Sequence, residues 1–428
     1  MSKNLKIVIA VIVIAVVAVG GYFLTQNQPF EEADAFDMMK NYYKESINIT
    51  SMDQDSKLSV SIDSDDPNIA SFQEILNEVE FEMNIKETLE PLAVQMDMGV
   101  MYQGEESLNL NMFIDEEKMI YDLPFIYNKA FYMTYEDYNE FMQSQGLADQ
   151  SLNMSEIMDK AMEFQKEFYS LEGVETVENL DFEKYENIMR ENLDGILIKG
   201  DKVDLILNKN EEDTIECQEL LLTFNDKQAL DFLIPLFKEA KDDEAMKNLI
   251  IAKAEIYVDF MKSFYSDDFY ETAGIENPYA EIDEAITEIE SNYSQGLEDA
   301  IVELEKIKAE EHQYFTTINK IGIDKNGMMR YWNMDLTLYP EKIPEDQYGV
   351  DIAKITFNME TVVNSVNEDV QFRDYSKIAE EGENLSPIIN NFESQESQAL
   401  MMQIYGKLMQ EVGSNPLFQR IAEEAGVY

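Results

Sequence analysis

Four successive stretches of the chain alternate apolar and polar side chains with a period of two. Leu58, Val60 and Ile62 alternate in the first. Val79, Phe81, Met83 and Ile85 share one side of the second, with Glu80, Glu82 and Asn84 on the other. Leu92, Val94, Met96, Met98, Val100 and Tyr102 continue the pattern, then Leu108, Leu110, Met112 and Ile114. Successive strand side chains point to opposite faces, so this periodicity predicts an antiparallel sheet with one apolar and one wet face. Gln103-Gly104-Glu105 predicts the hairpin turn between the third and fourth strands.

Helical spacing takes over next. Met154, Ile157, Met158, Ala161, Met162, Phe164 and Phe168 recur every three or four residues after Ser151. Residues 179–193 predict another helix, and 202–208 with 215–224 a short strand pair. Asn225 predicts the N-cap of a helix over 226–240, with Pro235 kinking it. Residues 243–265 continue helical. The stretch 279–311 carries Ile282, Ile286, Ile289, Tyr293, Leu297, Ala300, Leu304 and Ile307 on one seam. Packing within the chain explains that seam; an exposed seam would be a partner site.

A second sheet region spans 313–375. There Asp324-Lys325-Asn326-Gly327 predicts a type I′ hairpin turn, since Asn-Gly tolerates two positive φ values. Residues 353–363 predict another strand, and Ser386 to Gly426 a mostly helical tail whose last helix starts at Asn415-Pro416. Ile114–Tyr121 echoes Ile323–Tyr331, each a strand, a polar turn and a strand. The expected fold class is therefore α+β: curved antiparallel sheets packed with helices, in two related sheet-plus-helix units. The expected boundaries are a tail at 1–6, an anchor at 7–24, a linker at 25–35, and domains at 36–195 and 196–428.

The anchor rests on an uncharged 18-residue run, Ile7 to Leu24. As a helix it spans about 27 Å, close to a bilayer core. Lys3 and Lys6 precede it, and Glu31, Glu32 and Asp34 follow. Positive charge stays in the cytoplasm, so a single pass would place the bulk of the chain outside the cell membrane. Ala18-Val19-Gly20 offers the competing reading of a cleaved signal peptide.

Charge and rare residues exclude whole classes of chemistry. The chain holds 87 acidic against 32 basic residues, a formal charge of −55. Nucleic acid is excluded as a partner because its phosphates would be repelled. Cys217 is the sole cysteine and His312 the sole histidine. No intramolecular disulfide and no multi-histidine metal centre can form. Cys217 reads as sheet packing and His312 as a helix-end partner. Asp63-Ser64-Asp65-Asp66 is the best candidate calcium loop, but it lacks the glycine and closing glutamate of an EF-hand, so a solvated turn is the reading. Asp242-Asp243-Glu244 suits a helix start. No phosphate loop, dinucleotide fingerprint or Gly-x-Ser-x-Gly occurs, and no cofactor or catalytic residue is assigned.

The chain holds 25 methionines. Methionine faces adapt to varied apolar ligands. Met83, Met96, Met98 and Met112 share strand faces expected to point inward, and are the candidate lining of an apolar pocket between sheet and helices.

The anchor, the strands at 79–114, the Asn326-Gly327 hairpin and the strand-to-cap segment Leu222–Leu230 together resemble uncharacterised families of Gram-positive membrane-anchored extracytoplasmic proteins. More distantly, the arrangement is similar to half-barrel lipoprotein-carrier folds of bacterial envelopes. That resemblance implies a curved sheet wrapped on helices around a cavity for acyl chains. The lipobox cysteine of many such proteins is missing here. The expected function is a non-catalytic, membrane-anchored extracytoplasmic binding or scaffold protein of the cell envelope. Its partner would be an apolar small molecule, a lipid or an envelope protein. The alternative is a carboxylate-dependent hydrolase of wall glycans, which needs two carboxylates at set spacing.

Overall fold

The structure is a computed structural model that describes residues 33–144, 153–169, 180–208, 210, 212–263, 280–309, 313–340, 352–391 and 394–424. The run Ile7–Leu24, Ala18-Val19-Gly20 and His312 lie outside the described residues. Among the described residues no helix is long and apolar enough to cross a membrane.

The fold is α+β, built on one 12-stranded sheet. The first six strands form a meander: β1 (Ser51–Asp63), β2 (Val79–Leu89), β3 (Leu92–Tyr102), β4 (Glu105–Asp115), β5 (Lys118–Asp122) and β6 (Phe131–Thr134). A second meander holds β7 (Leu197–Ile206), β8 (Thr214–Asn225), β9 (Phe315–Asp324), β10 (Met329–Leu338) and β11 (Lys354–Val366). The four alternating stretches of the sequence are β1 to β4. The sequence predicts two sheets, and here the structure differs. β1 pairs antiparallel with β11 from Met52↔Val366 to Asp63↔Lys354, which fuses the meanders. A two-residue strand, β12 (Glu383–Asn384), adds parallel to β6 at the edge. Long-range pairing decides sheet number, and the period-two pattern does not encode it.

Two turns reverse the expected turn chemistry. Gln103 and Gly104 have φ of 55° and 81°, so the tight hairpin with both central φ values positive is the one between β3 and β4. At the Asn326-Gly327 turn only Gly327 is left-handed, with φ of 82°. Asp324 governs that turn. Its Oδ1 accepts from Asn326 N at 2.8 Å and Met328 N at 3.0 Å. Its Oδ2 accepts from Arg330 Nε at 2.8 Å, and the Asp324 side chain is fully buried.

Paired residues in a ladder share a face, so each face can be traced across strands. Leu220, Ile321, Trp332, Thr361, Ser56, Met83, Met98 and Leu110 form one continuous line. At its β7–β10 end this face is covered. Helix α1 (Ala35–Ser46), capped by Asp34 Oδ1 accepting from Asp37 N at 2.8 Å, lays Met38 against Leu197, Leu220, Ile321 and Ile323. Phe36 also packs on a helical core behind it.

That core joins α5 (Phe182–Leu193), α6 (Asp226–Ala240), α7 (Glu244–Lys262) and α8 (Ala280–Ala309), in chain order after α2 (Pro67–Asn77), α3 (Tyr135–Ser144) and α4 (Met154–Tyr169). The α8 seam is spent inside the chain. Ile289, Tyr293, Leu297, Ala300 and Leu304 pack against Leu230, Ile234, Phe237, Leu249 and Ile250. Each such buried side chain contributes about 1.5–3 kcal/mol. Helix α8 is interrupted at Asn292, with φ −133° and ψ 19°. Asn225 caps α6 in a full capping box with Gln228, and the helix runs through Pro235 to Ala240 as one element. Asp243 caps α7, accepting from Ala245 N and Met246 N.

The opposite face of the sheet is covered at the other end. Helix α9 (Tyr375–Glu381) places Tyr375 flat on Phe113, with ring centroids 4.2 Å apart, over Ile120 and Ala130. The tail closes with α10 (Ser386–Asn390), α11 (Gln395–Ser414) and α12 (Pro416–Glu424).

Candidate functional site

The first meander carries two unlike surfaces, one on each face of the same strands. The methionine face was the one expected from the sequence. Met83 pairs with Met98, and Met96 with both Ile85 and Met112. The four candidate methionines therefore meet on adjacent strands of one face. They are not enclosed as expected. Met98 is 36 % exposed and its neighbour Phe81 43 %. Met83, Met96 and Met112 are half-buried. Among the described residues, none of the four belongs to a buried hydrophobic cluster. On this face α1 packs over β7 to β9, and Ile75 of α2 with Leu417 of α12 covers only the Val79, Val100 and Tyr102 end of β2 and β3. Glu87 lies on the same line, between Met52 and Val94. Burial pushes its carboxyl above the ordinary carboxylate range.

The other face of β1 to β4 holds a polar cleft of about 490 Å³. Across it runs a rung of directly paired residues, Asp55, Asn84, Asp97 and Asn111, which continues beyond the cleft to Asp122 on β5. Asn84 Nδ2 donates to Asp53 Oδ1 at 3.0 Å and Asp55 Oδ1 at 3.1 Å. Asn111 Nδ2 donates to Asp122 Oδ2 at 3.4 Å. The neighbouring row is Lys57, Glu82, Gly99 and Asn109, where the glycine leaves a notch. Of the four methionines, Met83 and Met98 also border this cleft, and Met96 and Met112 do not.

The segment between β11 and α9 forms one wall. Arg373 Nη2 pairs with Asp97 Oδ2 at 3.0 Å. Gln95, only 2 % exposed, donates to the same oxygen at 2.7 Å and accepts from Arg373 N at 3.0 Å. Lys86 reaches Asp53 at 3.4 Å and donates to Gln371 O at 3.0 Å. Lys57 pairs with Glu80 at 3.0 Å and Glu82 at 2.6 Å. Asp97 Oδ1 and, on α9, the Tyr375 hydroxyl are buried without a hydrogen-bond partner. Burial, with the Asp97 charge beside it, pushes the Tyr375 hydroxyl far above its usual range, so it stays protonated.

Cys217 is fully buried, and burial pushes its thiol up to about 12, which keeps it from being a thiolate nucleophile at neutral pH. Among the described residues no group of three or more His, Cys, Asp or Glu side chains could hold a metal ion. At the Asp63–Asp66 loop, Asp66 N donates to Ser64 Oγ at 3.1 Å.

No protein-family model matches the chain. No curated protein matches it either.

The cleft was missed from sequence because its residues looked like an ordinary wet face. Their choice is the available signal. Asn84, Asp97, Asn109, Asn111 and Asp122 are short amides and acids at positions where solvated strands more often carry Lys, Glu or Thr. Only the register shows that they stand side by side.

Proposed function

We propose that this chain is a non-catalytic binding protein of a bacterial cell envelope. Ile7–Leu24 holds it at the membrane with its body outside, and the methionine face receives the acyl part of a lipid. The exposure of Phe81 and Met98 within a contiguous apolar line carries this reading. Large apolar side chains left together at a surface mark a ligand or partner site more often than chance. Unbranched thioether side chains adjust to chains of varied shape without a pre-cut pocket. A curved half-barrel of two related units is the finer form of this fold. In its favour, Asp115 Oδ1 accepts from Glu117 N and Lys118 N as Asp324 Oδ1 does in the echoed turn.

The test is native mass spectrometry of residues 30–428 purified gently from the native host. Added mass in the range of a single lipid, lost on denaturation and lost in a Met98→Asp variant, is the expected result. A protein free of ligand both as isolated and after incubation with phospholipid vesicles would overturn it.

A further inference from the structure

Helix α11 is apolar on two sides and covered on one. Leu400, Ile404 and Leu408, spaced by four, are half-buried. Ser397 on that same side is buried and donates to Asn391 O, just past α10, at 2.8 Å. Met401, Met402, Tyr405 and Met409 form a second stripe at spacings of three and four. All four are exposed, Met402 by 75 % and Tyr405 by 65 %. A helix apolar around its circumference has neighbours on every side. Among the described residues, none covers this stripe.

Charge says what kind of surface fits. Charged residues make up 28 % of the chain, and its formal charge is −55. In α11 only Glu396, Lys407 and Glu411 are charged. Helical spacing turns all three away from the stripe, and Lys407 pairs with Glu411 at 3.1 Å. The stripe is therefore uncharged. A basic protein would find nothing there to pair with. A second copy would bring another acidic body against the first. The interfacial layer of a bilayer fits, because it takes methionine side chains into its apolar part and a tyrosine hydroxyl at its polar boundary.

The stripe also joins the face proposed to receive lipid. At the end of α11, Asn415 Nδ2 donates to Ser107 O of β4 at 2.6 Å. The chain then enters α12, whose Leu417 packs with Val79, Val100 and Tyr102. Those three lie on the same strand face as Phe81, Met83 and Met98. Tether length adds a further reason. Only residues 25–32 separate Leu24 from Ala33, and eight residues reach at most roughly 29 Å. A body held that close meets the bilayer at high effective concentration, so even a weak interfacial contact is occupied.

We infer that α11 docks on the outer face of the bilayer through Met401, Met402, Tyr405 and Met409, bringing the Val79–Tyr102 rim of the methionine face to the lipid. This rests on the membrane anchor of the proposed function, and not on acyl binding.

The experiment is electron paramagnetic resonance on the full chain reconstituted in phosphatidylcholine vesicles. Cys217 is fully buried, so a cysteine introduced at an exposed position takes the spin label selectively. Labels are placed through Met402→Cys, Met409→Cys and, as the control in water, Asp204→Cys on the edge strand β7. Vesicle flotation reads the anchor separately. The chain should float. Relaxation by oxygen, which concentrates in lipid, relative to a water-soluble nickel chelate should be several-fold greater for the two α11 labels than for the control. Adding Met401→Glu and Tyr405→Glu to Met402→Cys should return its label to the control value, with thermal melting by circular dichroism unchanged. A floating chain whose α11 labels match the control overturns the docking and leaves the anchor standing. A chain that does not float overturns both. Spin–spin broadening of the Met402→Cys label that grows with protein density would make a second copy the occupant, and overturns the docking too.

Discussion

Lys253 sits on α7 with 1 % of its surface exposed, donating to Glu167 O at 2.8 Å. Burial pushes its ammonium down to about 8, against an opposing pull from Glu167. The unfolded chain holds the same proton up to its ordinary value of 10.5. Between those two values the unfolded state binds more protons than the folded one. Stability contributed by this residue therefore rises with pH across that window and is constant below it. Lys253→Met removes the titration. The difference in unfolding free energy between variant and wild type should shrink as pH goes from 8 to 10, measured by paired urea titrations. A difference that stays constant over that range would show that Lys253 keeps its ordinary affinity for the proton. At the same scale, Gly322 is dictated by contact. A methyl group there would lie 2.0 Å from Tyr331 Cε1, and the Tyr331 hydroxyl donates to Glu219 Oε2 at 2.7 Å.

Elements were the most legible part of the sequence, where a local signal set them. Asn225 is one case. Its side chain accepts from Gln228 N at 3.0 Å while Gln228 Oε1 accepts from Asn225 N at 3.1 Å. Asn225→Ala should cost about 1 kcal/mol of stability, read as a lowered urea midpoint, with Asn225→Asp close to wild type. The strand bounds of β3 match the alternating run residue for residue, since alternation depends only on neighbours. The Asn326-Gly327 turn shows where local reasoning fails. Asn-Gly favours two positive φ values, but the buried Asp324 carboxylate takes the turn amides and Arg330 together. Those bonds, all within six residues of the buried carboxylate, outweigh the dipeptide preference, while two positive φ values occur at the separate Gln103-Gly104 turn.

At the scale of the molecule, the sequence boundary at 195/196 does not separate two sheets. β1 and β11 pair through twelve residue pairs of register at the centre. Helix α1 of the first half lies on strands of the second, and α9 of the second lies on strands of the first. Residues 33–195 and 196–428 expressed apart should each lack a cooperative thermal transition, and should regain one when coexpressed. A sharp transition in either half alone would show autonomous domains. Repulsion among charges totalling −55 acts across this whole body, and the fused sheet must hold against it.

The sequence by itself determined the α+β class, the position of most strands and helices, the helix cap at Asn225, and the grouping of Met83, Met96, Met98 and Met112 on strand faces. Each of these depends on periodicity or on a side chain bonding to its own backbone nearby, and both are short-range. The tertiary structure decided the single sheet, the side on which the helices pack, and the polar rung from Asp55 to Asp122. Those depend on register between strands, and Asp55 and Asp122 become neighbours on one face only after five strands have paired. The physical reason is that alternation says which residues share a face of one strand, while only long-range backbone hydrogen bonds say which strands lie side by side.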